Sequence, residues 1–295
     1  MLDKTYFSLN YVVEFLEKVV ICENITGIDP HSFWNSAKLL NIQLGGNSQN
    51  AMLELFEQVL QKTYGFGINE GEGTNSTYVY IDDVVFTGNR VRRDIETWIR
   101  DCAPQNAILY IVVIAFHSGG RHYAQTKLDE LAVCKNIKIQ WFRSLELEDR
   151  KIHSHLTDLL WPTKIPTDKA VQEYAALMRY PPTFRKPGNV GQNSLFSSED
   201  RKNLLEQEFL KSGVGIRQRC SNLSDTQRPL GHSTLVTLGF GSLVVTFRNC
   251  PNNAPLALWV GHPWYPLFPR TTNKQTETKR LIYEFLKPDN NDIPF

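Results

Sequence analysis

The chain has 295 residues, 41% hydrophobic and 21% charged, with a formal net charge of +1, which suits a large folded core and excludes a disordered chain. No stretch approaches the roughly 20 apolar residues that span a bilayer, and Met1-Leu2-Asp3-Lys4-Thr5 lacks the basic and apolar blocks of a secretion signal. Five scattered cysteines (Cys22, Cys102, Cys134, Cys220 and Cys250), with no C-x-x-C pair, fit reduced thiols in a cytoplasmic protein and no zinc site.

Residues 1–76 carry four lysines, no arginine and nine acids, a balance of −5, so the rest of the chain carries +6. A basic body behind an acidic front suits anionic ligands, and a solvated surface with uneven charge is the plain alternative. The front reads as helical: Tyr11, Val12, Phe15, Leu16 and Val19 recur at helical spacing, as do Met52, Leu53, Leu55, Phe56, Val59 and Leu60. Between them Asp29-Pro30 opens a further helix, with Pro30 in its first turn. A loop through Gly65, Gly67, Gly71 and Gly73 to Thr77 is suited to a flap.

The next stretch alternates. Tyr78 to Ile81 is a short buried strand, Val91 to Ile99 a helix, and Ala107 to Phe116 a β-branched run expected for a strand buried on both faces. Tyr123 to Val133 reads as a helix and Ile137 to Phe142 as a third strand. This order predicts a parallel sheet with right-handed crossovers and ligands at the carboxyl ends of its strands.

Beyond residue 145, Leu156 to Trp161 is expected to end a helix before Pro162, and residues 181–198 form a long loop. Glu199 to Lys211 is an amphipathic helix that Ser197 or Ser198 caps. Thr234–Leu238 and Ser242–Phe247 flank Gly239-Phe240-Gly241 as a β-hairpin.

The chemistry concentrates at Ile81-Asp82-Asp83-Val84-Val85-Phe86-Thr87-Gly88. Two adjacent carboxylates at a strand end repel each other unless something engages them. A ribose diol supplies two donors for Asp82 and Asp83, and a nearby Mg²⁺ offsets their charge without direct coordination being required. Gly88 permits a tight turn and Thr87 adds a hydroxyl. The amides of Val85, Phe86, Thr87, Gly88 and Asn89, at the positive end of the following helix, form a phosphate cradle. An isolated Asp-Asp or Thr-Gly would be an ordinary strand end and turn; the ordered set is what points to a sugar phosphate.

Tyr78-Val79-Tyr80-Ile81-Asp82-Asp83-Val84-Val85-Phe86-Thr87-Gly88 resembles the phosphoribosyl pyrophosphate (PRPP) motif of type I phosphoribosyltransferases (PRTases). Leu238-Gly239-Phe240-Gly241-Ser242-Leu243-Val244-Val245 and Asn249-Cys250-Pro251-Asn252-Asn253-Ala254-Pro255-Leu256-Ala257-Leu258-Trp259 look like the PRTase-like proteins of bacterial conflict systems, the PRTase-CE type, which includes retron effector proteins. The resemblance covers most of residues 77–270. It implies an α/β fold with a type I PRTase sheet: a helical cover over residues 1–76, a core over 77–145, and a helical insertion with a β-hairpin hood over 146–295. It further implies ribose binding by Asp82 and Asp83, 5-phosphate binding by Thr87, Gly88 and Asn89, Mg²⁺ with the pyrophosphate, and a role in antiphage defence. A retron reverse transcriptase with its RNA–DNA hybrid would be the restraining partner. Two departures stand out: Phe86 replaces a usual hydroxyl residue, and no pyrophosphate loop is evident on an earlier strand. They leave open a sensing or scaffold protein that binds without transfer.

Other residues complete the inventory. Ser118, Gly119, Gly120 and Arg121 form a second candidate anion or substrate loop, an ordinary strand-to-helix connection being the equal alternative. Asn252 and Asn253 offer amides to a base edge, though Asn and Pro are also turn residues. His153 and His155, two apart, face different sides of a helix and make a poor metal pair. Arg90, Arg92 and Arg93 are placed to steer an anion or simply to solvate a helix start.

Overall fold

The β-branched run becomes the centre of a four-stranded parallel sheet in a computed structural model that describes residues 2–68, 76–188 and 190–270. The front runs α1 (Leu2–Thr5), β1 (Tyr6–Phe7), α2 (Leu9–Val20), α3 (Glu23–Thr26), α4 (Pro30–Ser36), β2 (Lys38–Leu39) and α5 (Ser48–Tyr64). The core follows as β3 (Thr77–Val85), α6 (Asn89–Asp101), β4 (Ile108–His117), α7 (Ser118–Ala132) and β5 (Lys138–Leu147). The last third holds α8 (Lys169–Ala176), α9 (Glu199–Arg219), β6 (Gln227–Arg228), β7 (Gly231–His232), β8 (Val245–Thr246) and α10 (Leu256–Trp259).

Sequence order is also spatial order, β2-β3-β4-β5, all parallel. β4 pairs on both edges and every residue from Ile111 to His117 is buried, which explains its continuous apolar run. On one face Tyr80, Leu109, Ile111 and Val113 pack with Ile95, Trp98, Ala124 and Leu128 of α6 and α7. On the other, Val79, Ile81, Val112 and Ile114 join α2, α5, α9 and α10 through Leu16, Phe56, Val214 and Leu256. The front and the C-terminal part thus share one core. α5 lies on the opposite face from α6 and α7 although all three connections step in the same direction across the sheet. The β2–α5–β3 crossover therefore has the opposite hand to its neighbours, a rare arrangement for parallel strands.

The helical front follows the predicted spacing except at Tyr11, which is exposed and bonds Ser144 Oγ through its hydroxyl at 2.7 Å. Val12, Phe15, Leu16 and Val19 of α2 are buried, as are Met52, Leu55, Phe56, Val59 and Leu60 of α5. Asp29 caps α4 by accepting from Ser32 N at 3.0 Å, with Pro30 in the first turn. Ser198 caps α9 through Arg201 N at 3.2 Å. Gly71 and Gly73 of the expected flap lie outside the described residues.

Four local readings change. β3 runs on through Asp82 and Asp83 to Val85, so both acids sit within the strand's last residues and not after it. α7 begins at Ser118, five residues before the predicted Tyr123 start, because Asp149 Oδ1 accepts from Gly119 N at 2.5 Å and Glu146 accepts from Ser118 Oγ at 2.9 Å. No helix runs through Leu156–Trp161. A 3₁₀ segment ends at Leu156, and the following amides are taken by distant groups: Asp158 N by Glu148 O, Leu160 N by Gly241 O, Trp161 N by Glu206 Oε1.

The expected hairpin about Gly239-Phe240-Gly241 is also absent. The segment threads between Leu230 and Leu160, where a Cβ on Gly239 or Gly241 would fall 2.3 Å from Leu230 C or 2.2 Å from Leu160 O. β8 instead pairs in parallel with β1, Tyr6 opposite Val245 and Phe7 opposite Thr246, tying the front to the C-terminal part.

Candidate functional site

Parallel strands end together, so the loops after β2 and β3 meet at the carboxyl edge of the sheet. They enclose a cleft of about 300 Å³ whose far wall comes from Thr246 to Asn253 and from Arg270. Asp82, Asp83, Thr87, Gly88, Arg90 and Arg248 all line it.

Asp82 is 5% exposed. Its Oδ1 accepts from Asp83 N at 2.8 Å, and its Oδ2 from Tyr80 Oη at 3.2 Å and Gln43 Nε2 at 3.5 Å. Burial and the adjacent Asp83 carboxylate push it up to about 7, although Ser48, the Asp83 amide and Arg90 act the other way. The same tyrosine hydroxyl lies 3.3 Å from Asp94 Oδ2, and burial raises Asp94 as well. Asp83 Oδ1 accepts from Val84 N at 2.6 Å, and Oδ2 pairs with Arg248 Nη1 at 3.0 Å.

Gly88 holds the N-cap position of α6 with φ 72°, the left-handed region that favours glycine, and no side chain caps the helix. Thr87, Gly88, Arg90 and Val91 face the cleft at this positive helix end. Val85 and Phe86 line it too. Asn89 does not; its Oδ1 accepts from Arg92 Nη2 at 3.3 Å. Phe86 turns its ring against His117, with centroids 5.2 Å apart. His117 is fully buried between Val85 O and Ser242 Oγ, each 3.2 Å from a ring nitrogen, and burial pushes it down to about 4. The Gly-Phe-Gly-Ser motif therefore anchors the C-terminal part to the sheet edge.

The loop after β2 escaped the sequence reading. Gly46, Asn47 and Ser48 line the cleft beside Asp82. Gln49 Oε1 accepts from Ile42 N and Gln43 N at 2.8 and 2.9 Å, and Asp94 Oδ1 accepts from Leu44 N at 3.2 Å. Gly46, at φ 102°, passes under Arg90, whose Nη1 would lie 2.8 Å from any Cβ there. The available signal was Gly45-Gly46-Asn47-Ser48 directly before a helix; the two-residue strand ahead of it carries none. This loop occupies the place, on an earlier strand beside the Asp-Asp end, where no pyrophosphate loop was expected.

The other candidates fall as follows. Ser118, Gly119, Gly120 and Arg121 lie in the first turn of α7 and do not line the cleft; the Gly119 amide is engaged by Asp149. Gly120 does buttress the cradle, packing against Phe86 and Gly88. Asn252 and Asn253 line the far wall, and Asn253 Nδ2 donates to His232 O at 3.2 Å. Outside the cleft, His153 Nδ1 sits 3.0 Å from Glu148 Oε2. Asn249, in the same Asn-Cys-Pro-Asn-Asn segment as Asn252 and Asn253, lines the wall with them; Arg248 and Arg270 were missed because they reach the cleft only through the path of the C-terminal part.

Each oxygen of both aspartates accepts a hydrogen bond or an ion pair and keeps a lone pair for a further donor. Among the described residues no group of three or more His, Cys, Asp or Glu could hold a metal by itself. Among the same residues no helix is long and apolar enough to cross a membrane.

The PRTase-CE family model matches residues 1–270. The orotate phosphoribosyltransferase of Aeropyrum pernix, a solved structure, is 14% identical over 46% of this chain and 69% of its own, with a TM-score of 0.28, too low to carry an argument. Comparison with functionally curated proteins gave no match. Since the family model spans nine-tenths of the sequence, from the first helix to the last residue of the cleft, the chain belongs to the PRTase-CE family.

Proposed function

We propose that the cleft binds a phosphoribosyl compound of the PRPP kind. The observation that carries this is the meeting, within one cleft, of the Asp82-Asp83 strand end, the uncapped N-terminus of α6 at Thr87-Gly88, and three guanidinium groups from Arg90, Arg248 and Arg270. The aspartates offer acceptors to a diol, and the helix end and arginines offer donors and charge to phosphates. Transfer in this frame breaks the bond from the anomeric carbon to pyrophosphate and forms one to an acceptor nucleophile. The arginines then take up charge on the leaving group. Mg²⁺ belongs to this reading as a companion of the ligand's own phosphates. A cytoplasmic setting is supported by the five scattered cysteines with no C-x-x-C pair; a part in retron-type antiphage defence, restrained by a reverse transcriptase with its RNA–DNA hybrid, is carried by the sequence resemblance.

Titration calorimetry with PRPP and Mg²⁺ tests the binding. Asp82→Asn with Asp83→Asn should weaken it by roughly tenfold or more, the loss of charged hydrogen-bond acceptors. Undiminished affinity in the double variant overturns the placement. A sensor that binds without transfer is the second reading. It is favoured by Phe86, which packs on His117 where a hydroxyl would contact phosphate. Pyrophosphate release in the presence of nucleobases separates the two.

A further inference from the structure

Asp83 is claimed from two sides. Its Oδ1 accepts from Val84 N at 2.6 Å and its Oδ2 holds Arg248 Nη1 at 3.0 Å, a contact between residues 165 apart in sequence. The two side chains are only 13% and 16% exposed, so this is a largely desolvated ion pair and not a surface one. A ribose hydroxyl that reaches Asp83 Oδ2 competes there with Arg248.

The turn that presents Arg248 is itself not satisfied. Arg248 Nε and Asn249 Oδ1 are buried and have no hydrogen-bond partner among the described residues. A buried donor left unpaired beside a paired one is costly, and it marks a guanidinium that can gain a second bond by changing acceptor. Asp83 gives Arg248 one bond. A phosphate group can grip two guanidinium N–H groups at once. Arg90 and Arg270 line the same cleft, so an anion arriving there meets further positive charge.

We propose that Arg248 is the specificity-determining residue of this cleft. It excludes ligands that bring only a ribose diol and one phosphate, and admits those whose second anionic group draws its guanidinium away from Asp83. The proposal deepens the phosphoribosyl reading and rests on it. A ligand without the second anion weakens the Arg248–Asp83 pair and offers the guanidinium no replacement counter-charge, which opposes binding. A diphosphate at the anomeric carbon supplies the replacement.

The test compares ribose 5-phosphate and PRPP, each with Mg²⁺, on the full chain and on Arg248→Met, which keeps the stem and removes the charge. Ribose 5-phosphate should bind the variant roughly tenfold tighter and PRPP roughly tenfold weaker, so the two ligands move in opposite directions. Weakening of both would make Arg248 only a support for the wall and overturn the proposal. Weaker PRPP with unchanged ribose 5-phosphate would make it a plain phosphate contact, which also overturns it. If the full chain and the variant both bind neither compound, the phosphoribosyl reading itself has failed and the gate falls with it; ribose 5-phosphate binding gained only by the variant supports both. Should Arg248→Met fail to fold by circular dichroism, Arg248→Gln carries the same comparison.

Discussion

Gly88 and Gly120 meet backbone to backbone: a Cβ on Gly88 would lie 2.0 Å from Gly120 O, and one on Gly120 would lie 1.9 Å from Phe86 O. The cradle after β3 and the first turn of α7 therefore fix each other, and neither loop can carry a side chain at the contact. Gly88 also needs its left-handed backbone, whereas Gly120 is helical and is excluded only by space.

Gly120→Ala isolates this contact, because alanine favours the helix that Gly120 occupies. The expected outcome is a loss of about 1–3 kcal/mol despite the better propensity, as for overpacked cores, with weaker phosphate binding at Thr87-Gly88. Denaturant melts and phosphate titration read both. A variant as stable as the parent, with unchanged binding, would show that the two loops part freely.

Asp82 links the cleft to pH. Burial and the Asp83 charge push it up to about 7 from 3.8, so between those values the folded chain keeps a proton that the unfolded chain has lost. Its contribution to stability is full below that window and falls as pH rises through about 7. Asp149, which burial also pushes up to about 7, adds to the same slope. Asp82→Asn should therefore gain stability relative to the parent at pH 8 more than at pH 5, measured as denaturant midpoints. Ligand affinity in the parent should rise from pH 6 to pH 8 as Asp82 becomes an acceptor.

His117 acts in the opposite sense. Burial pushes it down to about 4 from 6.5, so the unfolded chain takes up a proton there that the folded chain refuses. Stability falls as pH drops from about 6.5 to 4. His117→Leu should flatten this acid limb. It should also cost about 1–3 kcal/mol at neutral pH by removing the imidazole's hydrogen bonds to the buried Ser242 hydroxyl and Val85 carbonyl, although Ser242 Oγ still accepts from Val244 N at 3.2 Å. An unchanged acid limb would mean that another group controls it.

The part of the fold legible in the sequence is the part whose instructions are local. Ile95, Trp98 and Ile99 on one helical stripe, and the unbroken run through Val112, Val113 and Ile114, specify α6 and β4 with no knowledge of their partners. Asp82, Asp83, Thr87 and Gly88 enter one cleft because a strand end and the turn after it cannot separate. Even the role of Gly239 and Gly241 is half visible: two glycines mark a tight backbone passage, and a hairpin is the nearest local explanation for them.

Tertiary structure alone decided the rest. β2 is two residues long, too short for any period, so the loop at Gly45–Ser48 had no strand to announce it. The amide of Gly119 is taken by Asp149, thirty residues on, and Asp83 is taken by Arg248, far along the chain. Hydrophobic periodicity records which face of an element is buried, not which distant group will meet it. Donors, carboxylates and guanidinium groups choose their partners by where the whole chain brings them, and that is settled only once the sheet, its helices and the returning C-terminal part are packed.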